Sequence, residues 1–195
     1  MQTPTITGKK MLYEWKFLSL KQLELTHPSG AVTPYEVLER NTKKVYGIVS
    51  VLPMTEDGNV ILIRQYRPPL DSIQLELPAG CAEVGKHPTL EDAVHAELRE
   101  ETGYMTPSLT HIAAFASSSG MTNEVVHGYI AENCRKVSDI LTLDQDEYIE
   151  TLEIPYAEID RYIASEVLSG AIVEPKMLAL IMLWRNMIAK KERSL

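Results

Sequence analysis

The order of strand and helix signals in these 195 residues predicts an α+β protein, a mixed α/β/α sandwich with a small N-terminal β-hairpin element. Three observations carry that expectation. Segments of alternating apolar and polar residues fill most of the first half of the chain. A strong hairpin signal, Glu56-Asp-Gly-Asn59, joins two of them. Helical periodicity surfaces only in three separated stretches, at residues 90–102, 157–168 and 176–190.

Taken in order, residues 14–40 read as strand, turn, strand: Trp15-Lys-Phe-Leu-Ser-Leu20 and Leu23-Glu-Leu-Thr26 lead into the His27-Pro-Ser-Gly30 turn, and Pro34-Tyr-Glu-Val-Leu-Glu-Arg40 follows. Residues 45–54 are β-branched and apolar, and Val60-Ile-Leu-Ile-Arg-Gln-Tyr66 returns from the hairpin until Pro68-Pro69 ends it. Ile73-Gln-Leu-Glu-Leu77 alternates like a strand and runs into Pro78-Ala-Gly80. The helix over 90–102 is stopped by Gly103, and Thr89 with Asp92 forms a capping box in which Asp replaces the usual Glu. Strands at 109–117 and 125–132 flank a loop over 117–124, and a short strand over 147–154 precedes the last two helices. The expected division is an N-terminal β element, 1–43, and a main domain, 44–195.

Composition narrows the function. An apolar fraction of 45% suffices for a buried core, while a net charge of −8 argues against a nucleic-acid surface, which needs clustered Lys and Arg. A small anionic substrate stays compatible, because a few arginines and bound cations reverse the field locally. Cys81 and Cys134 match neither a disulfide framework nor a zinc pattern. No signal-peptide pattern or membrane-length apolar run stands in the sequence, so a cytoplasmic location is the expectation.

The helix over 90–102 holds the chemistry. At roughly 100° per residue, Leu90, Val94 and Leu98 form one stripe. Glu97 and Glu101 fall inside that stripe and Glu100 lies at its edge, while Glu91, Asp92, His95, Arg99 and Thr102 take the other side. Two carboxylates one helical turn apart thus occupy the face that should meet the core. Buried carboxylates must be neutralised, paired or bound to a cation. Three oxygen donors on one turn suit a hard divalent ion such as Mg²⁺ or Mn²⁺.

Ala96-Glu-Leu-Arg-Glu-Glu-Thr-Gly-Tyr104 resembles the second half of the Nudix box, G-x5-E-x7-R-E-U-x-E-E-x-G-U, where U is a bulky apolar residue. The preceding Leu77-Pro-Ala-Gly80 is similar to the ADP-ribose and nucleoside-diphosphate-sugar pyrophosphatase branch. The pattern is broken in three places: Ala96 replaces its arginine, Lys86 stands where its first glutamate belongs, and the segment from Lys86 to Leu90 makes it two residues longer. The resemblance implies the Nudix fold and a hydrolase that cleaves a nucleoside diphosphate sugar into nucleoside monophosphate and sugar phosphate. It implies Mg²⁺, with Mn²⁺ the alternative, on Glu97, Glu100, Glu101 and the Ala79 carbonyl, with Glu147 as general base or further ligand. Another diphosphate, such as a dinucleotide, or a nucleotide-sugar sensor of low turnover are the alternatives.

Further segments extend the resemblance from about residue 20 onward. Arg64-Gln-Tyr-Arg-Pro-Pro69 is similar to the strand end whose arginine meets substrate phosphate, which gives that role to Arg67 and a secondary one to Arg64. By the same resemblance Tyr35 stacks on the base, Glu36 lies near its edge, Arg40 reaches the phosphates, and Glu124 in the 117–124 loop touches ribose or water. Asp144-Gln-Asp-Glu147 resembles the acidic loop that delivers a late catalytic glutamate, and Ser169-Gly-Ala-Ile-Val-Glu-Pro-Lys176 reads as a structural turn. The 1–43 element is expected to bind the base and to pair with a second copy in a homodimer. The expected partners are thus a small nucleotide sugar and another copy of the chain, with neither nucleic acid nor membrane.

Overall fold

Residues 5–40 form an antiparallel three-stranded sheet of β1 (Thr5–Glu14), β2 (Leu18–Thr26) and β3 (Val32–Arg40) in the computed structural model, which describes residues 1–41 and 43–192, and side chains as far as 188. Thr42 and residues 193–195, at the edges of the expected divisions, lie outside the described residues. β1 ends at residue 14, where the alternation in sequence predicts the first strand to begin. Its register on β2 is irregular near Gly8 and near Leu12, which blurs the alternation that marks a strand.

The rest is a mixed sheet between helices. β4 (Val45–Thr55) and β5 (Asn59–Arg67) form the predicted hairpin, followed by a 3₁₀ turn over Pro68–Leu70, β6 (Ser72–Glu76), β7 (Ala79–Glu83), α1 (Leu90–Thr102), β8 (Tyr104–Met105), β9 (Ser108–Ala116), β10 (Val125–Lys136), β11 (Ile149–Pro155), α2 (Ile159–Leu168), β12 (Ile172–Val173) and α3 (Pro175–Glu192). The strand order is β12-β6-β5-β4-β10-β8, with β11 on β5, β7 on β4 and β9 on β10. β4 and β10 run parallel at the centre.

Val60, Ile61, Leu62 and Ile63 are all buried, and the reason is that both faces of the sheet are covered. On one face Val49, Val51, Ile61, Tyr129 and Ala131 pack against Ala93, Val94 and Leu98 of α1. On the other, Leu52, Val60, Leu62 and Ile130 pack against Ile159 and Ile163 of α2 and Met177, Leu180 and Ile181 of α3. This is the α/β/α sandwich that the sequence predicts. No described helix is long and apolar enough to cross a membrane.

Two local features place the site. After the hairpin, β4 diverges from β5 and takes β7 as its neighbour, pairing Ser50 with Ala79 and Val49 with Gly80. The amide of Val51 donates to the Pro78 carbonyl at 3.0 Å, which pins Leu77-Pro-Ala-Gly80 beside α1. The capping box fixes where α1 begins: the Asp92 amide donates to Thr89 Oγ1 at 3.1 Å, and the Thr89 amide donates to Asp92 Oδ2 at 3.0 Å. Gly103 ends it at φ 74°. Thr102, expected on the outward side, is buried instead, and its hydroxyl donates to the Leu98 carbonyl one turn back.

Candidate active site

Glu101 is 1% exposed, and its Oε2 accepts from the Ala79 amide at 2.9 Å. Glu97, one turn earlier on the same stripe, lies against Gly80. A Cβ added at that glycine would stand 2.0 Å from Glu97 Oε1 and 2.5 Å from Oε2. Backbone without a side chain is therefore what admits this carboxylate. Among the described residues, Glu97 has no ion-pair partner and no three His, Cys, Asp or Glu side chains are gathered closely enough to chelate one ion. Glu100 sits at the rim, 3.5 Å from the Lys86 ammonium.

Electrostatics mark the same pair. Burial, then the charges of Glu100 and Glu147, push the Glu97 carboxyl up to about 7, against a smaller opposing pull from Lys86. Burial and the Glu97 charge push Glu101 well above the ordinary carboxylate range, although the Ala79 amide pulls the other way. Two desolvated acids one turn apart, with open backbone beside them, are the donor set of a hard divalent cation. The residues present fit that group, with Glu97 and Glu101 as its side-chain holders.

A substitution at the glycine tests the cradle. Gly80→Ala is expected to leave the fold and melting profile of the chain close to native while weakening Mn²⁺ binding about 10–100-fold, the scale seen when ligand-orienting groups are lost. Titration of the variant with Mn²⁺ reads this directly, and unchanged affinity would remove Glu97 from the site.

Arg67, at the end of β5, is a cation whose charge reaches Glu101. Its Nε and Nη2 donate to the two carboxylate oxygens of Glu76 at 2.6 and 2.5 Å. The pairing raises the basicity of Arg67, as do the nearby charges of Glu101 and Glu147. Glu76 is 3% exposed, and truncating Arg67 would strand it. Arg67→Ala should therefore destabilise the chain by about 2–3 kcal/mol, below the 3–5 of a fully buried pair because the guanidinium is partly exposed. Urea unfolding checks this, and adding Glu76→Gln should recover most of the loss.

Arg40 forms the second pair. Its Nε donates to Glu124 Oε2 at 2.5 Å, while Ser117 Oγ donates to Glu124 Oε1 at 2.7 Å. These donors outweigh burial and hold the Glu124 carboxyl below its ordinary range. Two further residues join from the end of the 169–176 segment, which reads in sequence as a structural turn: Glu174 just before α3 and Lys176 in its first turn. Buried Glu174 contacts Lys176, and Lys176 lies within charge reach of Glu76, Glu124 and Arg67. Burial lowers the basicity of that lysine.

Comparison with known proteins decides the family. A NUDIX domain model matches residues 46–174. The chain belongs to the Nudix family. It is 34% identical over 147 residues to an ADP-ribose pyrophosphatase of Bacillus subtilis (strain 168), covering 75% of this chain and 76% of that protein. A GDP-mannose pyrophosphatase of Yersinia enterocolitica is 31% identical over 143 residues, 69% of this chain and 71% of that one. A solved structure of an ADP compounds hydrolase aligns with a TM-score of 0.78 over 99% of this chain and 98% of that one; at 20% identity it bears on the fold, which it shares. Nudix hydrolases use a divalent metal, in keeping with the acid pair on α1.

The other sequence-predicted residues of this Nudix chain divide. Glu147 lies on the loop before β11, not on a strand, with its Oε2 accepting from the Asp144 amide at 2.8 Å and its charge felt at Glu97 and Glu101. Asp144, which the sequence reading did not single out, also bears on Glu97. Arg64 is not brought to the acid pair: it is held at Glu166 of α2 (2.5 Å), the Tyr162 hydroxyl (3.0 Å) and Glu150 (3.2 Å). Strand alternation separates Tyr35 from Glu36. The Tyr35 hydroxyl donates to the Gly120 carbonyl at 2.7 Å, and Glu36 instead accepts from Gln22 on β2 at 3.1 Å. Ala79 contributes its amide to Glu101. Cys81, half-buried, and buried Cys134 are both free thiols.

Proposed function

We propose that this Nudix hydrolase cleaves the pyrophosphate of nucleoside diphosphate sugars, ADP-ribose or a relative, releasing nucleoside monophosphate and sugar phosphate. The supporting observation is the buried Glu97 and Glu101 pair against bare backbone at Ala79 and Gly80, with the charge of Arg67 reaching Glu101. Mg²⁺ is the proposed cation, with Mn²⁺ its working substitute. When bound, such a cation supplies Lewis-acid polarisation of phosphoryl oxygens.

The chain's own groups do the rest. Arg67 spends Nε and Nη2 on Glu76, which leaves Nη1 for a phosphoryl oxygen. Arg40 commits Nε to Glu124 and keeps both terminal nitrogens for the diphosphate. Both forks are thus aimed before substrate arrives and stabilise charge developing on the phosphoryl oxygens. Glu147, held by the Asp144 amide, takes the proton as water attacks phosphorus in line and the bridging P–O bond breaks.

Tyr35, 39% exposed, offers its ring to a base. The β1–β3 sheet exposes Ile6, Tyr13, Trp15, Phe17 and Val32, an apolar surface that supports the homodimer. Light scattering that finds only monomer would dismiss that part.

Incubation with Mg²⁺ and ADP-ribose, ADP-glucose or GDP-mannose, with nucleoside monophosphate quantified, tests the activity. Metal-dependent release is expected. The second reading, a nucleotide-sugar sensor, is favoured by Lys86 reaching Glu100. Tight binding with no turnover on any of these substrates would establish it over the enzyme.

A further inference from the structure

Lys86 departs from the Nudix pattern by a full reversal of charge, and the structure shows where that charge goes. Its ammonium lies 3.5 Å from Glu100 Oε2 and 4.0 Å from Glu83 Oε1. The lysine is carried on a built turn. Gly85 takes φ 85°, the Lys86 and His87 amides both donate to the Glu83 carbonyl, and the Glu83 amide donates to Nδ1 of His87, itself 6% exposed. The Tyr46 hydroxyl fastens the far side by donating to the His87 carbonyl at 3.0 Å. The longer segment, 86–90, therefore has a structural job: it presents a fixed cation to the outer edge of the acid cluster.

We propose that Lys86 is a built-in countercharge, which holds Glu100 in an ion pair and takes the place of an outer divalent cation. The site then binds its metal through Glu97 and Glu101, with Glu100 withheld. This rests on the reading of the Glu97 and Glu101 pair as a cation site. A divalent ion placed on Glu100 would meet that ammonium at close range, a repulsion that offsets much of the attraction of the single carboxylate.

The experiment is a titration of the full chain with Mn²⁺ alone, free Mn²⁺ being counted by its paramagnetic resonance signal. Glu100→Gln should bind as many ions as the parent, with affinity lowered by no more than about tenfold through the loss of one nearby charge. Lys86→Gln should bind Mn²⁺ about tenfold more tightly or take up one ion more. Lys10→Gln removes the same charge from exposed β1 and should do neither. Equal behaviour of Lys86→Gln and Lys10→Gln would overturn the proposal. So would loss of an ion in Glu100→Gln, a result readable even if Lys86 variants fold poorly. Absence of Mn²⁺ binding by the parent would overturn the cation site itself, and the countercharge with it.

Discussion

Glu101→Gln is expected to fold, to melt at a higher temperature than the parent in the absence of divalent cation, and to lose turnover at least about 100-fold. These effects have one cause. Glu101 is 1% exposed and is charged only at a cost, which is why its carboxyl is pushed well above the usual range. Glutamine keeps the shape, and its carbonyl still accepts from the Ala79 amide, now 2.9 Å from Oε2. What it removes is the charge that would hold a cation. A buried structural glutamate would give a different pattern, with stability and turnover falling together. Thermal melts in EDTA beside assays at saturating Mg²⁺ distinguish the two. Turnover within about threefold of the parent would dismiss Glu101 as a cation holder.

The helix wheel alone puts Glu97 and Glu101 on the stripe of Val94 and Leu98, and the structure buries Val94, Leu98 and Glu101 together. The start and stop of α1 were equally legible, since Thr89, Asp92 and Gly103 act on backbone groups within one turn. So was the sandwich, because Val60-Ile-Leu-Ile63 can be apolar on both sides only in a sheet covered twice. Local rules give local answers.

The remainder depended on chain segments far apart in sequence. Nothing near Arg67 says that Glu76 will claim two of its nitrogens, because that pair forms only when β6 folds back on β5. Arg64 shares the strand with Arg67, yet its destination is set by α2, about a hundred residues later. Lys176 and Glu174 look like a turn until β12 aligns on β6 and brings α3's first turn to the cluster. Two signals mark them in the sequence: Lys176 is a cation at a helix start, where the dipole disfavours it, and Glu174 is an acid flanked by apolar residues and proline. Each breaks a local rule without local compensation, which is the mark of a site built by tertiary contacts.

Glu97 supplies a second large effect, read in stability against pH. Its carboxyl stands at about 7 in the folded chain against an ordinary 4.5. A raised acid binds its proton more tightly folded than unfolded. Its favourable contribution is thus complete below pH 4.5 and is lost as the pH climbs through 7. The difference corresponds to about 3 kcal/mol. Other carboxyls slope the opposite way: Glu124 and Glu39 are held below their ordinary range by cationic and hydroxyl donors, and lose stability as pH falls. The parent curve mixes both, so the measurement is a difference between two proteins. In EDTA, Glu97→Gln should match the parent at pH 4, gain on it between pH 4.5 and 7, and exceed it by roughly 2–3 kcal/mol at pH 8. Saturating Mg²⁺ should reverse that order at pH 8, because the cation stabilises only the chain that binds it. Urea unfolding at the three pH values decides the matter: a gap between the two proteins that stays constant from pH 4 to 8 would show that the Glu97 carboxyl titrates alike folded and unfolded, and that no strain is stored on α1 for a cation to relieve.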